Sequence, residues 1–199
     1  NMSYFVYHAA ILANAGYTVV TFDYRGFGKS QDFEIQKEFL YYKEFAWDLE
    51  AVVETISKEI PNKKLGIWAM SMGTTIASRA YPQIKGQIDF IIGEGFVTDP
   101  DGIVDYYKEK GKEILLPESS DEFKISLESI DCPLLILTAS NDKVTTHGSA
   151  IILQKKLGDN CEISRYEGEH LTGFQVDYDN LGFGGWFLSE LEEFLQYKS

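Results

Sequence analysis

Apolar positions along this chain follow two alternating patterns. Some recur every three to four residues and so line one face of a helix. Others form short unbroken runs of the kind found in strands buried on both sides. Residues 3–14 (SYFVYHAAILAN) read as a helix, with Ser3 as its cap and Gly16 as its stop. Residues 17–23 (YTVVTFD) are β-branched and aromatic and read as a strand; residues 25–30 (RGFGKS) read as a glycine-rich turn. Over residues 44–58, Phe45, Leu49, Val52, Val53 and Ile56 share a helical face, and Pro61 lies beyond its end. Residues 64–69 (KLGIWA) predict the next strand, 73–81 a small-residue helix that should stop near Pro82, and 88–93 a short strand. Residues 133–139 (PLLILTA) form the clearest buried strand, followed by a helix at 145–157, a strand at 162–166 and an amphipathic helix at 186–197. The stretch 94–131 is the least regular, with one helix expected around 102–110.

Strands alternating with helices predict an α/β fold, a three-layer sandwich whose mostly parallel sheet is covered on both faces. The 199 residues fit one domain, without linker or repeat, so residues 1–199 are read as a single unit. Ligands of such sheets gather at the C-terminal strand ends. The loops after Asp23, Ala69, Gly93, Ala139 and Tyr166 therefore hold the candidate chemistry.

After KLGIWA comes Ala69-Met70-Ser71-Met72-Gly73, then a helix. A strand-to-helix turn this tight leaves room only for small residues two positions either side of the serine. Ser71 would project above the sheet at a helix N-terminus, where N–H groups favour developing negative charge. The competing reading is a simple helix cap. A hydroxyl attacks only if a base takes its proton, and the chain has 3 His. His8 falls inside the first helix and reads as structural. His147 opens a later helix. His170, in the loop directly after the strand EISRY, is the candidate base. Asp142, in Ser140-Asn-Asp-Lys143, would orient it, although Asp in such loops often serves only to form a turn. Glu94, Asp99 and Asp101 are the other candidate acids.

The order Ser71, Asp142, His170, each just past a strand, resembles the α/β-hydrolases. The segment from Gly16 to Ser30 is similar to that family's G-Y-x-V-x-x-x-D-x-R-G-x-G-x-S stretch, a part of the scaffold there. The resemblance covers nearly the whole chain and is nearest to small serine hydrolases with little or no lid: esterases, thioesterases and some peptidases. It implies Ser71 as nucleophile, His170 as base, Asp142 as orienting acid and the Met72 N–H as an oxyanion donor. Two departures stand out. Ala69 replaces the first elbow glycine, and the family's early strands with their His-Gly loop, which supplies a second oxyanion donor, are absent. The expectation is thus an α/β-hydrolase fold lacking its N-terminal strands, in a chain opening at Asn1 that forms part of a longer protein. The implied activity is cleavage of a carboxylic ester, or of a thioester or amide, through an acyl-enzyme. The alternatives are an acyltransferase on the same fold and a non-catalytic binding or regulatory scaffold.

Composition narrows the partners. With 18 Lys+Arg against 31 Asp+Glu, a net charge of -13 disfavours nucleic acid and anionic membranes. No apolar run approaches the roughly 20 residues of a bilayer span. The compartment is left open, with the cytoplasm as default, because a leader would lie upstream of Asn1. The 2 Cys and 3 His have no zinc-like spacing, so no metal or cofactor is expected and Cys132 and Cys161 read as free buried thiols. The expected ligand is a small-molecule or lipid-like ester. Phe96, Tyr106 and Phe174 are candidate substrate-lining residues, and residues 95–130 form either a small cap or an ordinary helix packed on the sheet. Oligomeric state is not legible.

Overall fold

Four apolar runs come together as one parallel sheet. The computed structural model describes residues 5–197, and its strands are β1 (Gly66–Met70), β2 (Phe90–Glu94), β3 (Leu134–Ala139) and β4 (Cys161–Tyr166), in the spatial order β1-β2-β3-β4. The register sets Met70 beside Glu94, Glu94 beside Leu137, and Ala139 beside Tyr166. All four C-terminal ends therefore lie along one edge. Every residue of β3 is buried, as expected of an interior strand whose side chains alternate between two covered faces.

The helices are α1 (Val6–Asn14), α2 (Lys43–Glu59), α3 (Met72–Ile84), α4 (Pro100–Glu109), α5 (Ser120–Glu128), α6 (His147–Leu157), α7 (Tyr178–Leu181) and α8 (Gly185–Tyr197). Contacts divide the described residues into two compact units, 5–35 with 172–197, and 36–171. The second unit holds the sheet. There α3 packs on β1, α2 and α5 pack on α3, and α6 covers β3 and β4. Ile76, Ala77, Ala80, Tyr81 and Ile84 of α3 are buried, as are Phe45, Leu49 and Val53 of α2 and Phe123 and Leu127 of α5. In the first unit Phe174 stacks on Phe187 with ring centroids 4.2 Å apart, and the His8 ring meets the edge of Phe174 at 4.6 Å. Burial lowers the His8 pKa, which suits a neutral imidazole packed among aromatic rings.

The structure corrects the sequence reading in several places. Residues 17–23 form no strand. β-branched composition is not enough, because a strand also needs a neighbouring backbone to complete its ladder. Gly28 lies at φ +56, and a Cβ there would fall 1.8 Å from Asp23 Oδ2, so only glycine fits. Helix α3 does not stop at Pro82 but runs through it to Ile84. Only the N–H that would reach the Ser78 carbonyl is lost, and that loss falls in the last turn. Helix α5 went unseen in sequence, although Ser119 caps it through the Glu122 N–H at 3.3 Å and Asp121 and Glu122 fill its first turn. The Ser3 cap of the first helix lies outside the described residues.

Candidate active site

The turn from β1 into α3 is strained at one residue. Ser71 has φ +48 and ψ -119, a conformation costly for any side chain bearing a Cβ. Its main chain is held on both sides. The Ser71 N–H donates to the Glu94 carbonyl at 2.9 Å. The Ser71 carbonyl accepts from the Thr74 N–H at 2.8 Å and from Thr74 Oγ1 at 2.7 Å. Thr74 is fully buried, and its Oγ1 in turn accepts from the Val97 N–H at 2.9 Å. Small residues make the turn feasible: a Cβ added to Gly73 would sit 3.8 Å from the Ala69 Cβ, so alanine at 69 leaves the elbow clear. Ser71 Oγ makes no capping bond to α3, which removes the helix-cap reading. It lies instead 2.9 Å from His170 Nε2.

His170 and Asp142 come from the loops after β4 and β3. His170 Nδ1 is 2.6 Å from Asp142 Oδ2. With the Nδ1–H donating to the carboxylate, Nε2 presents its lone pair to the serine hydroxyl. Asp142 faces both its own turn and the imidazole ring. Its Oδ1 accepts from the Val144 and Thr145 N–H groups at 2.8 and 2.9 Å, forming the turn, while Oδ2 faces the imidazole. Thr145 Oγ1 also donates to Oδ2 at 2.6 Å. Burial raises the Asp142 pKa, but the hydrogen bonds from His170 and Thr145 outweigh it and hold the carboxyl below its ordinary value. The two loops are tied together by Ser140 N–H to the Tyr166 carbonyl at 2.8 Å, Asn141 N–H to the Gly168 carbonyl at 3.0 Å, and Ser140 Oγ to Glu167 at 2.7 Å.

Two neighbours of this trio escaped the sequence reading. One is Thr145. The other is Gly95, at φ +61 just past β2, where a Cβ would lie 2.7 Å from His170 Cε1 and 3.2 Å from Nδ1. A glycine directly after a buried apolar strand was the available signal. The other residues named from the sequence make contacts of their own. His147 Nδ1 is 2.9 Å from Thr138 Oγ1. Asp99 precedes α4, and Asp101 bonds Ser120. Met72 is the first residue of α3, so its N–H is one of those without an intrahelical acceptor. Phe96 is buried with its ring over Gly93, Tyr106 packs against Tyr107 and under the Lys110 ammonium, and Phe174 sits in the aromatic stack of the first unit. A cleft of about 210 Å³ bordered by Asp99, Lys124, Glu128 and Ile152 includes none of the trio. Among the described residues no cluster of three or more His, Cys, Asp or Glu could hold a metal ion, and no helix is long and apolar enough to cross a membrane.

Residues 2–101, just over half of the chain and including the Ser71 elbow, match the family described as serine aminopeptidase, S33. The chain belongs to this serine aminopeptidase S33 family. This S33 family member is accordingly a hydrolase, and solved structures agree on its α/β-hydrolase fold. An esterase of Pyrococcus furiosus superposes with a TM-score of 0.69 at 23% identity, covering 96% of this chain and 76% of the esterase. A monoacylglycerol lipase of Paleococcus ferrophilus gives 0.68 at 19% identity, covering 99% and 90%. A structure from a study of carboxylesterases of Nitrososphaera gargenis gives 0.66 at 15%, covering 99% and 86%. Comparison with curated protein sequences gives no significant match.

Proposed function

We propose that this S33 family member cleaves carboxylic esters through a Ser71–His170–Asp142 triad. The observation that carries the reading is the continuous run of contacts on a strained elbow, 2.9 Å from Ser71 Oγ to Nε2 and 2.6 Å from Nδ1 to Asp142. In the proposed reaction Ser71 Oγ attacks the ester carbonyl carbon while its proton passes to His170 Nε2. The carbonyl oxygen becomes an oxyanion and accepts from the Met72 N–H. Asp142, kept ionised by its hydrogen bonds, stabilises the imidazolium. The tetrahedral adduct collapses, the alcohol leaves with the proton from Nε2, and an acyl-enzyme remains on Ser71. Water then attacks it by the same proton route, releasing the acid and restoring the serine.

The preference for esters rests on the solved relatives, whose names are esterase and monoacylglycerol lipase. The family description favours a second reading, hydrolysis of an N-terminal peptide bond by the same three residues. Short-chain p-nitrophenyl esters and aminoacyl p-nitroanilides separate the two. Ser71→Ala should lower ester kcat by roughly 10⁴–10⁶ and abolish fluorophosphonate labelling. Unchanged turnover in Ser71→Ala rejects the assignment of the nucleophile.

A further inference from the structure

Glu94 ends β2 with its side chain wholly inside the protein, and the triad does not use it. A carboxyl group is rarely buried so completely without a specific partner. Here Glu94 Oε1 accepts from the Tyr166 hydroxyl at 2.7 Å, and that hydroxyl also reaches the main-chain oxygen of Glu169 at 3.4 Å. Tyr166 is the last residue of β4, and Glu169 immediately precedes His170. In the sheet, β2 and β4 are separated by β3. The pair therefore reaches over the end of β3 and ties the start of the histidine loop to the opposite strand. The main chain of the same residue acts on the nucleophile, because the Glu94 carbonyl accepts from the Ser71 N–H at 2.9 Å.

We propose that Glu94 is a positioning residue that sets the Ser71–His170 separation from both sides, fixing the elbow through its carbonyl and the His170 loop through its carboxyl and Tyr166. This rests on the hydrolase reading of Ser71 and His170. Catalytic geometry is steep in distance: a misplacement of about 1 Å costs about 100-fold in rate. The carboxyl–phenol pair is thus expected to act on kcat and to leave substrate affinity alone, because neither group belongs to the triad or to the oxyanion donor.

Three variants test this. Tyr166→Phe removes the hydroxyl and keeps the ring packing. Glu94→Leu removes the carboxyl and keeps the carbonyl bond to Ser71. Glu94→Gln keeps an oxygen that can accept from Tyr166. Expected for Tyr166→Phe and Glu94→Leu is a fall of about 10- to 100-fold in kcat and in fluorophosphonate labelling rate, with KM within about twofold. Glu94→Gln should recover most of that loss. The double variant Glu94→Leu/Tyr166→Phe should be no slower than the slower single, since both remove one link. A role in stability alone would lower the unfolding temperature while leaving kcat of the folded protein intact. If Glu94→Leu does not fold, Tyr166→Phe and Glu94→Gln decide the matter. Wild-type kcat and labelling rate in folded Tyr166→Phe overturn the proposal, while the hydrolase reading stands as long as Ser71 labels in the wild type. Failure of Ser71 to label in the wild-type protein overturns the hydrolase reading and this inference with it.

Discussion

Replacing Gly95 by alanine isolates the packing of the imidazole. The new Cβ would lie 2.7 Å from His170 Cε1 and 3.1 Å from Leu171 Cδ2. Reaching an ordinary carbon contact of about 3.4 Å requires a shift of about 0.7 Å. The backbone of Gly95 and the ladder it extends are the stiffer side, so the histidine moves. Taken along the Ser71 Oγ–Nε2 direction, that shift stretches a 2.9 Å contact to about 3.6 Å, outside hydrogen-bond range. The expected cost is about 10- to 100-fold in kcat. The left-handed backbone at φ +61 adds a separate stability loss of about 1–2 kcal/mol. Gly86→Ala separates the two effects. Gly86 has φ +92 and nothing within 4 Å of its added Cβ, so it should lose stability without losing rate. The assay is kcat on a p-nitrophenyl ester at a temperature where both variants are folded, with stability from urea unfolding. If folded Gly95→Ala turns over like the wild type, or if Gly86→Ala is equally slowed, the imidazole is not held as described.

Other outcomes follow from the same contacts. Thr145→Val removes the 2.6 Å donor to Asp142 Oδ2 and keeps the N–H at 2.9 Å, so a loss of about 1–2 kcal/mol in urea unfolding is expected, with a few-fold fall in kcat. The Asp142 pKa lies below its unfolded value, so its stabilisation is present above about pH 4 and fades as pH falls through the lower folded value. The stability gap between wild type and Asp142→Asn should therefore narrow from pH 7 to pH 3, and a gap that stays constant would contradict the assigned hydrogen bonds. Burial pushes the Cys161 thiol up to about 12 and raises Cys132 as well, so an aromatic disulfide reagent at pH 8 should react slowly with the native chain and fully with both thiols in denaturant. Rapid native modification of Cys161 would show that β4 is less protected than its packing implies.

Much of the site was legible in the linear chain because its parts are local. A small-x-Ser-x-small turn between an apolar run and a helix is set by sterics within five residues. Asp142 and His170 could be picked out because each follows a run that only a buried strand explains. What stayed hidden depended on partners far along the chain. Residues 17–23 have strand composition, yet they form no strand, because a ladder depends on a second backbone elsewhere in the chain. Helix α5 has a cap and an acidic first turn, but its apolar positions were too few to stand out from the irregular stretch around them.

The chain alone therefore determined the order of Ser71, Asp142 and His170 and the loops that carry them, because periodicity and turn chemistry are short-range. It also narrowed the possible partner of His170 to a few carboxyls. Only the tertiary structure decided that Asp142 faces the imidazole, that Gly95 leaves room for it, and that Glu94 reaches Tyr166 across β3. The Glu94–Tyr166 contact joins residues 72 positions apart, and such contacts exist only once strand order and register have been set.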